Sequence, residues 1–192
     1  MVSYMINVDG NCSVNLLILE VIMYRATRKL IEARQQHTNY VVEPVVVTQI
    51  GGGVANDCFN NAYDVIEANQ NVTLVSGWLI GSYDKYRCET QIVQHYWNAD
   101  SDGNFFDTTP GIGGDFEYVI DTDIGEYGQV NINAIDSCVS SSLLLKDDEF
   151  TAVDMVHGNL RFRSISQLST RELFDTAHKN KMEFDANRDN AC

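Results

Sequence analysis

The chain has 192 residues, 44% of them hydrophobic, and carries 27 Asp and Glu against 13 Lys and Arg, a formal charge of −14. That length and apolar share allow one sizeable core and favour a single domain over 1–192. So acidic a chain argues against binding a phosphate backbone, which needs an excess of Lys and Arg, and suits a soluble protein or one with a basic partner.

The most apolar run, 14–24, is interrupted by Glu20, follows no Lys or Arg and is too short to span a bilayer, so it reads as a core element and not as a membrane or targeting segment. Without a secretory signal the sequons at Asn11 and Asn71 carry no meaning. Ser13 is placed to cap a helix over 14–35 in which Arg25, Arg28, Lys29 and Arg34 collect towards the C-terminal half, where the helix dipole favours cations. The valine-rich stretch 40–50 reads as a strand broken or restarted at Pro44, and Gly51-Gly52-Gly53 ends it. In 57–68 the residues Phe59, Ala62, Tyr63 and Ile66 make one apolar stripe at helical spacing. Strands follow at about 72–81, 90–99 and 104–109, the last two joined by the turn-forming Ser101-Asp102-Gly103. Beyond Pro110 a glycine-rich joint leads to short strands and acidic turns over 116–145 and a Ser- or Thr-capped helix over 166–182. No repeat or linker separates the parts, so 14–110 reads as a core and 111–192 as an extension on that same core.

The five cysteines at 12, 58, 88, 138 and 192 are odd in number, scattered and without a Cys-x-x-Cys pair. They signal neither a disulfide framework nor a zinc site, no metal or cofactor is called for, and free thiols in a reducing cytoplasm are expected. With Asn56 or Asp57 as N-cap, Cys58 falls in the first turn of its helix, where unpaired N–H groups and the dipole favour a thiolate, though Asp57 opposes this and His95 would have to help. In the strand 90–99, Val93, His95 and Trp97 share a face. A three-residue hairpin loop pairs 100 with 104 and sets Asp107 opposite Trp97, diagonal to His95 at a Cβ separation of roughly 7–8 Å. A two-residue loop would turn Asp107 to the other face. A cysteine opening a helix, a histidine on a later strand and an aspartate on the strand after it, here Cys58, His95 and Asp107, are the three groups a thiol-dependent acyl transfer needs.

The stretch 50–110 resembles the transglutaminase-like superfamily of papain-fold cysteine enzymes. The resemblance lies in Cys58 at a helix start, Gly77-Trp78, the His95-Tyr96-Trp97 strand and Asp107-Thr108-Thr109. It departs at Tyr96, where the family often has a small residue, and at Asp57-Cys58-Phe59, which replaces Trp-Cys surroundings. What it implies is an α+β fold with a nucleophile-bearing helix packed on an antiparallel sheet, and a cysteine amidase, peptidase or transamidase in which Cys58 is the nucleophile, His95 the general base and later acid, and Asp107 the residue that orients His95. The substrate would be a peptide, protein or small amide or ester, attacked to give a thioester that water or an amine acceptor resolves. The oxyanion would be held by the Cys58 N–H and one further donor, with Gln49, Asn56 and Asn60 as candidates.

Each element has a plainer competitor. A cysteine at a helix start is often a small core residue, Trp78 and Trp97 pack cores more often than they wall a cleft, and Asp121, Asp123 and Glu126 suit a solvated acidic turn better than a metal site. Asp100 to Asn104 is a hairpin turn rather than a calcium loop, because its glycine is misplaced and no bidentate Glu stands at the right distance. Cys88 is a rival nucleophile without a helix start to support it. The second functional class is a non-catalytic acidic protein on a papain-like scaffold that mimics nucleic acid or docks a basic partner.

Overall fold

The computed structural model describes residues 23–124, 142–156 and 159–173. In chain order they form α1 (Arg25–Gln35), β1 (Val42–Val45), β2 (Val47–Gln49), α2 (Cys58–Ala68), β3 (Thr73–Ile80), β4 (Glu89–Ala99), β5 (Phe105–Asp107) and β6 (Glu117–Asp121). A 3-10 turn (Thr122–Ile124) and the strands β7 (Ser142–Lys146), β8 (Glu149–Val156) and β9 (Asn159–Ile165) complete them. The architecture is α+β: a mostly antiparallel sheet in the order β1-β6-β3-β4-β7-β8-β9, with helices packed against it. Among the described residues no helix is long and apolar enough to cross a membrane.

The sheet curls back on itself. β5 pairs with the end of β4 and β2 pairs, in parallel, with β5, while β1 pairs with β6. Only Val46 separates β1 from β2, and consecutive Cα atoms stand about 3.8 Å apart, so both ends of this set of strands are one stretch of chain. β6, β3, β4, β5 and the β1–β2 segment therefore close a small barrel. Its interior holds Val75, Leu79, Trp97, Ala99 and Tyr118, with Val45, Val47 and Phe105 against them. The alternate residues of β3, β4 and β6, Trp78, Ile80, Ile92 and Val119, point outward into a second core with Leu30 of α1 and Leu143 and Leu145 of β7. With both faces covered, β3 is buried without interruption from Val75 to Ile80. Gly77 has no room for a side chain, because an added Cβ would lie 2.5 Å from the Trp97 ring and closer still to the Val119 carbonyl.

Several elements differ from the sequence expectation, each for a tertiary reason. The helix expected over 14–35 begins at Arg25, since Tyr24 is non-helical at φ −58° and ψ 147°; 14–22 lie outside the described residues. Its end is fixed from β6, where the Glu117 carboxylate accepts the Tyr24 N–H at 2.8 Å and the Thr27 hydroxyl. The break in 40–50 falls at Val46, not Pro44; Pro44 sits within β1 opposite Val119, and β1 pairs on one side alone, where a missing N–H leaves no ladder bond unmade. Within 116–145 the described strands are β6 and β7, and β7, β8 and β9 then continue the sheet outward from β4. The sequence reading placed no strand over 149–165. The β7–β8 turn is Asp147-Asp148, both with positive φ, a hairpin geometry that Asn-Gly usually announces and Asp-Asp does not. The helix expected from 166 starts at 170, capped by the Ser169 hydroxyl, which accepts the Glu172 N–H at 3.1 Å; residues from 174 onward lie outside the described set.

Asp121 is not part of a solvated turn. It is fully buried, as is Arg34, whose guanidinium donates to both its oxygens at 2.7 and 3.2 Å and further to Asp123, the Leu168 carbonyl and Thr170. The Trp78 indole completes the shell of Asp121 at 2.9 Å. One buried cation thus ties α1, β6 and the C-terminal segment together. Glu126 lies outside the described residues.

Candidate active site

The loop from β2 to α2 brings Cys58 to the barrel. Ile50 and Gly51 donate backbone N–H groups to the Asp107 carbonyl, and Gly53 donates to that of Thr108, so the loop is strung along the end of β5. Gly51 and Gly52 take φ +65° and +101°, a region open to glycine. Gly53 is required for another reason: a Cβ there would stand 2.5 Å from the Asn61 side chain. Asn61 accepts the Val54 N–H and donates to the Val54 carbonyl, both at 2.7 Å, and so clamps the loop to the first turn of α2. The N-cap is Asp57, but its carboxylate accepts from the Asn60 amide at 2.8 Å and caps no backbone N–H. Cys58 is thus the first helical residue, half-buried, with first-turn N–H groups that the cap side chain does not use. Phe59 stands edge-on to Tyr96, and the Asn98 amide donates to the Ala62 carbonyl at 2.9 Å, seating α2 on β4.

Asn98 pairs with Phe106 and Ala99 with Phe105, and the Asp100 N–H donates to the Asn104 carbonyl. The loop is therefore Ser101-Asp102-Gly103, the odd-length turn that puts Asp107 on the His95 face. The Asp100 carboxylate accepts the N–H groups of Asp102 and Asn104, an Asx turn that fixes this length. The result is a contact of 2.6 Å between His95 Nε2 and Asp107 Oδ2, with the two residues 4% and 1% exposed. His95 is flanked by Trp97, stacked at 6.2 Å, and Tyr118, edge-on at 5.8 Å, and Gly77 lies opposite it in the sheet.

The electrostatics follow from this packing. Burial opposes the imidazolium, but the Asp107 hydrogen bond and then the bond and charge of Cys58 outweigh it and push His95 up to about 9. Burial likewise opposes the Asp107 carboxylate, yet the His95 bond and charge, the Thr109 N–H and the Tyr118 hydroxyl bring it down to about 2. Burial and the charge of Cys58 push the Tyr96 hydroxyl up, and burial and Asp107 do the same for Tyr118. With Nε2 taken by Asp107, Nδ1 is the ring nitrogen left to exchange a proton with Cys58.

Cys58, His95 and Asp107 come together; the remaining candidates divide. The Gln49 side chain is turned to Asp107 and Tyr118, and that of Asn60 to Asp57, so neither amide is presented as an oxyanion donor. Trp97 is wholly buried beneath His95 and walls no cleft. Asn56, exposed and left-handed at φ +61°, stands two residues before Cys58. Sequence reading missed Tyr118 and Asn61: Tyr118 meets Asp107 only because the barrel closes, and Asn61 holds the backbone of Val54, a side-chain-to-backbone clamp that no motif announces. Cys88 lies in an exposed turn at φ +56° and lines a separate cleft of about 330 Å³ with Tyr24, Tyr83, Leu145 and Asp148. That cleft is lined by no histidine and by none of the three central residues. Among the described residues, no group of three or more His, Cys, Asp or Glu is placed to hold a metal. Neither a protein-family model, nor a curated protein, nor a solved structure matches the chain.

Proposed function

We propose that this protein is a thiol-dependent acyl-transfer enzyme with a papain-like, transglutaminase-like core, acting on a carboxamide or ester through Cys58, His95 and Asp107. The observation that carries the reading is the buried 2.6 Å His95–Asp107 pair, with Cys58 acting on the same imidazole from a helix start. A histidine that holds its proton to about pH 9 beside a sulfur supports a thiolate–imidazolium pair at neutral pH. The thiolate attacks the carbonyl carbon, and the charge moves to the carbonyl oxygen, where the Cys58 N–H is the nearest backbone donor by position. Collapse of that intermediate breaks the bond to the leaving amine or alcohol, which takes the proton from His95, and a thioester remains on Cys58. Water or an amine acceptor then attacks, giving its proton to His95, and the thiolate departs. Asp107 keeps the imidazole oriented throughout and stays ionised.

The test is acylation of the full chain by p-nitrophenyl acetate at neutral pH, with the modified peptide identified by mass spectrometry. Acylation at Cys58 is expected to outpace Cys88 by at least tenfold and to fall to the Cys88 rate in His95→Ala. Equal labelling of both thiols, or a Cys58 that reacts only after unfolding, overturns the reading and leaves an acidic scaffold without catalysis.

A further inference from the structure

The Asp107 carboxylate is held by more groups than a catalytic pair requires. His95 Nε2 lies 2.6 Å from Oδ2, the Tyr118 hydroxyl donates to the same oxygen at 2.7 Å, and Gln49 Nε2 stands 3.3 Å from it. The other oxygen, Oδ1, accepts the Thr109 N–H at 2.7 Å. Gln49 Nε2 also donates to the Tyr118 hydroxyl oxygen. A phenol has one proton, and with Gln49 supplying a donor on its oxygen that proton is directed to Asp107. Both N–H groups of the Gln49 amide are spent in this way, one on Tyr118 and one towards Asp107. The four side chains come from four strands, Gln49 from β2, His95 from β4, Asp107 from β5 and Tyr118 from β6, and they meet because the barrel closes.

Resting on the acyl-transfer reading above, we infer that Tyr118 and Gln49 are positioning residues of this site, which fix the Asp107 carboxylate so that Oδ2 stays on Nε2 and the imidazole keeps Nδ1 for Cys58. The physical need is plain. Rotation about the Cβ–Cγ bond of an aspartate is broad and roughly two-fold, and a single acceptor bond to a histidine does not stop it. Anchoring Oδ1 on the Thr109 N–H and Oδ2 on Tyr118 fixes the carboxylate plane at both ends. The Tyr118 ring, edge-on to both His95 and Trp97 at 5.8 and 5.3 Å, covers the same pair. Gln49 is exposed at the chain's entry to the loop that carries Cys58, so it joins the barrel mouth to the buried tyrosine.

Tyr118→Phe separates positioning from packing, because phenylalanine keeps the ring against His95 and Trp97 and removes only the hydroxyl. Two readouts are taken on the full chain: the carboxyl titration of Asp107 by 13C NMR, assigned by its loss in Asp107→Asn, and the pH profile of Cys58 acylation by p-nitrophenyl acetate. Wild-type Asp107 stays ionised to the lowest pH at which the fold persists, since its carboxyl lies at about 2. In the variant it is expected to titrate at least half a unit higher, towards the ordinary value of about 3.9. The acylation rate is expected to fall about 10- to 100-fold at saturating ester with KM within about twofold, as displacement of a catalytic group costs rate and not binding. An unchanged carboxyl titration overturns the inference, and so does an unchanged rate where the wild type acylates. If the wild type does not acylate at Cys58, the enzyme reading fails alone and the carboxyl titration still decides the positioning role. Should Tyr118→Phe not fold by circular dichroism, Gln49→Leu decides in its place: it leaves the phenol without its directing donor, and the same upward titration is expected with a smaller amplitude.

Discussion

At position 107 a carboxylate gathers a histidine, a tyrosine, a glutamine and a backbone N–H, while position 58 contributes a thiol at a helix start and little else. The imbalance explains where substitutions will be felt. Asp107→Asn keeps the size of the side chain but places an amide on His95, and removes the charge that holds the imidazolium. On the proposed chemistry, turnover should drop by about four powers of ten, the scale seen when a triad orienter is lost, and the His95 midpoint should fall from about 9 towards an ordinary imidazole near 6.5. Ester acylation and 1H–15N NMR of the imidazole measure the two effects. A variant with near wild-type turnover would reduce Asp107 to a strand-end residue. That Asp107 could meet His95 was legible from strand order and the alternation of faces. The partners of Gln49 and Asn60 were not, because an amide at a strand end or in the first turn of a helix declares no partner, and here both are already engaged.

Among the elements, the β4–β5 hairpin makes the strongest demand. Side chains alternate faces along a strand, so a change of one residue in loop length sends the whole of β5 to the opposite face. Deleting Ser101 leaves a two-residue loop and sets Asp107 opposite Asn98, outside the barrel. The expected outcome is loss of the His95–Asp107 pair with most of the fold retained: the circular dichroism spectrum is conserved and the His95 midpoint falls. A His95 that still titrates at about 9 would show that β5 can recover its register by shifting elsewhere. This hairpin was legible in the sequence because Asp100, Asp102 and Gly103 are turn residues with a mechanism, and the structure shows that mechanism in the Asx bonds of Asp100. The start of α1 was not legible, since its capping group is Glu117, 93 residues away from Tyr24.

Across the whole molecule, the buried His95–Asp107 pair links stability to pH from both sides. His95 binds its proton more tightly folded, at about 9, than unfolded, near 6.5. Its contribution is therefore complete below about pH 6.5 and is lost as pH rises towards 9. Asp107 ionises more readily folded, at about 2, than unfolded, near 3.9, so its contribution is complete above about pH 4 and lost as pH falls through 2. The two describe one interaction and are not summed. Urea unfolding at pH 6 and at pH 9.5 should differ by a few kcal/mol in wild type, and His95→Gln should remove that part of the difference. A wild type equally stable at both values would mean that the pair contributes no net linkage.

The sequence by itself determined the helix that carries Cys58 in its first turn, the strands that carry His95 and Asp107, and a turn at Ser101-Asp102-Gly103, because each depends on periodicity, a cap or a turn within a dozen residues; the odd length of that turn came from the structure. It also set the strongly acidic balance, which is a sum over residues and needs no fold. Tertiary structure alone decided the closure of the barrel at Val46, the placing of Tyr118 and Gln49 on Asp107, and the burial of Arg34 with Asp121. Gln49 and Asp107 are 58 residues apart and Arg34 and Asp121 are 87 apart, and Tyr118, though only 11 residues from Asp107, reaches it from a strand that does not pair with β5; the energy of such contacts exists only once the sheet has closed, and no local pattern encodes which strand will meet which.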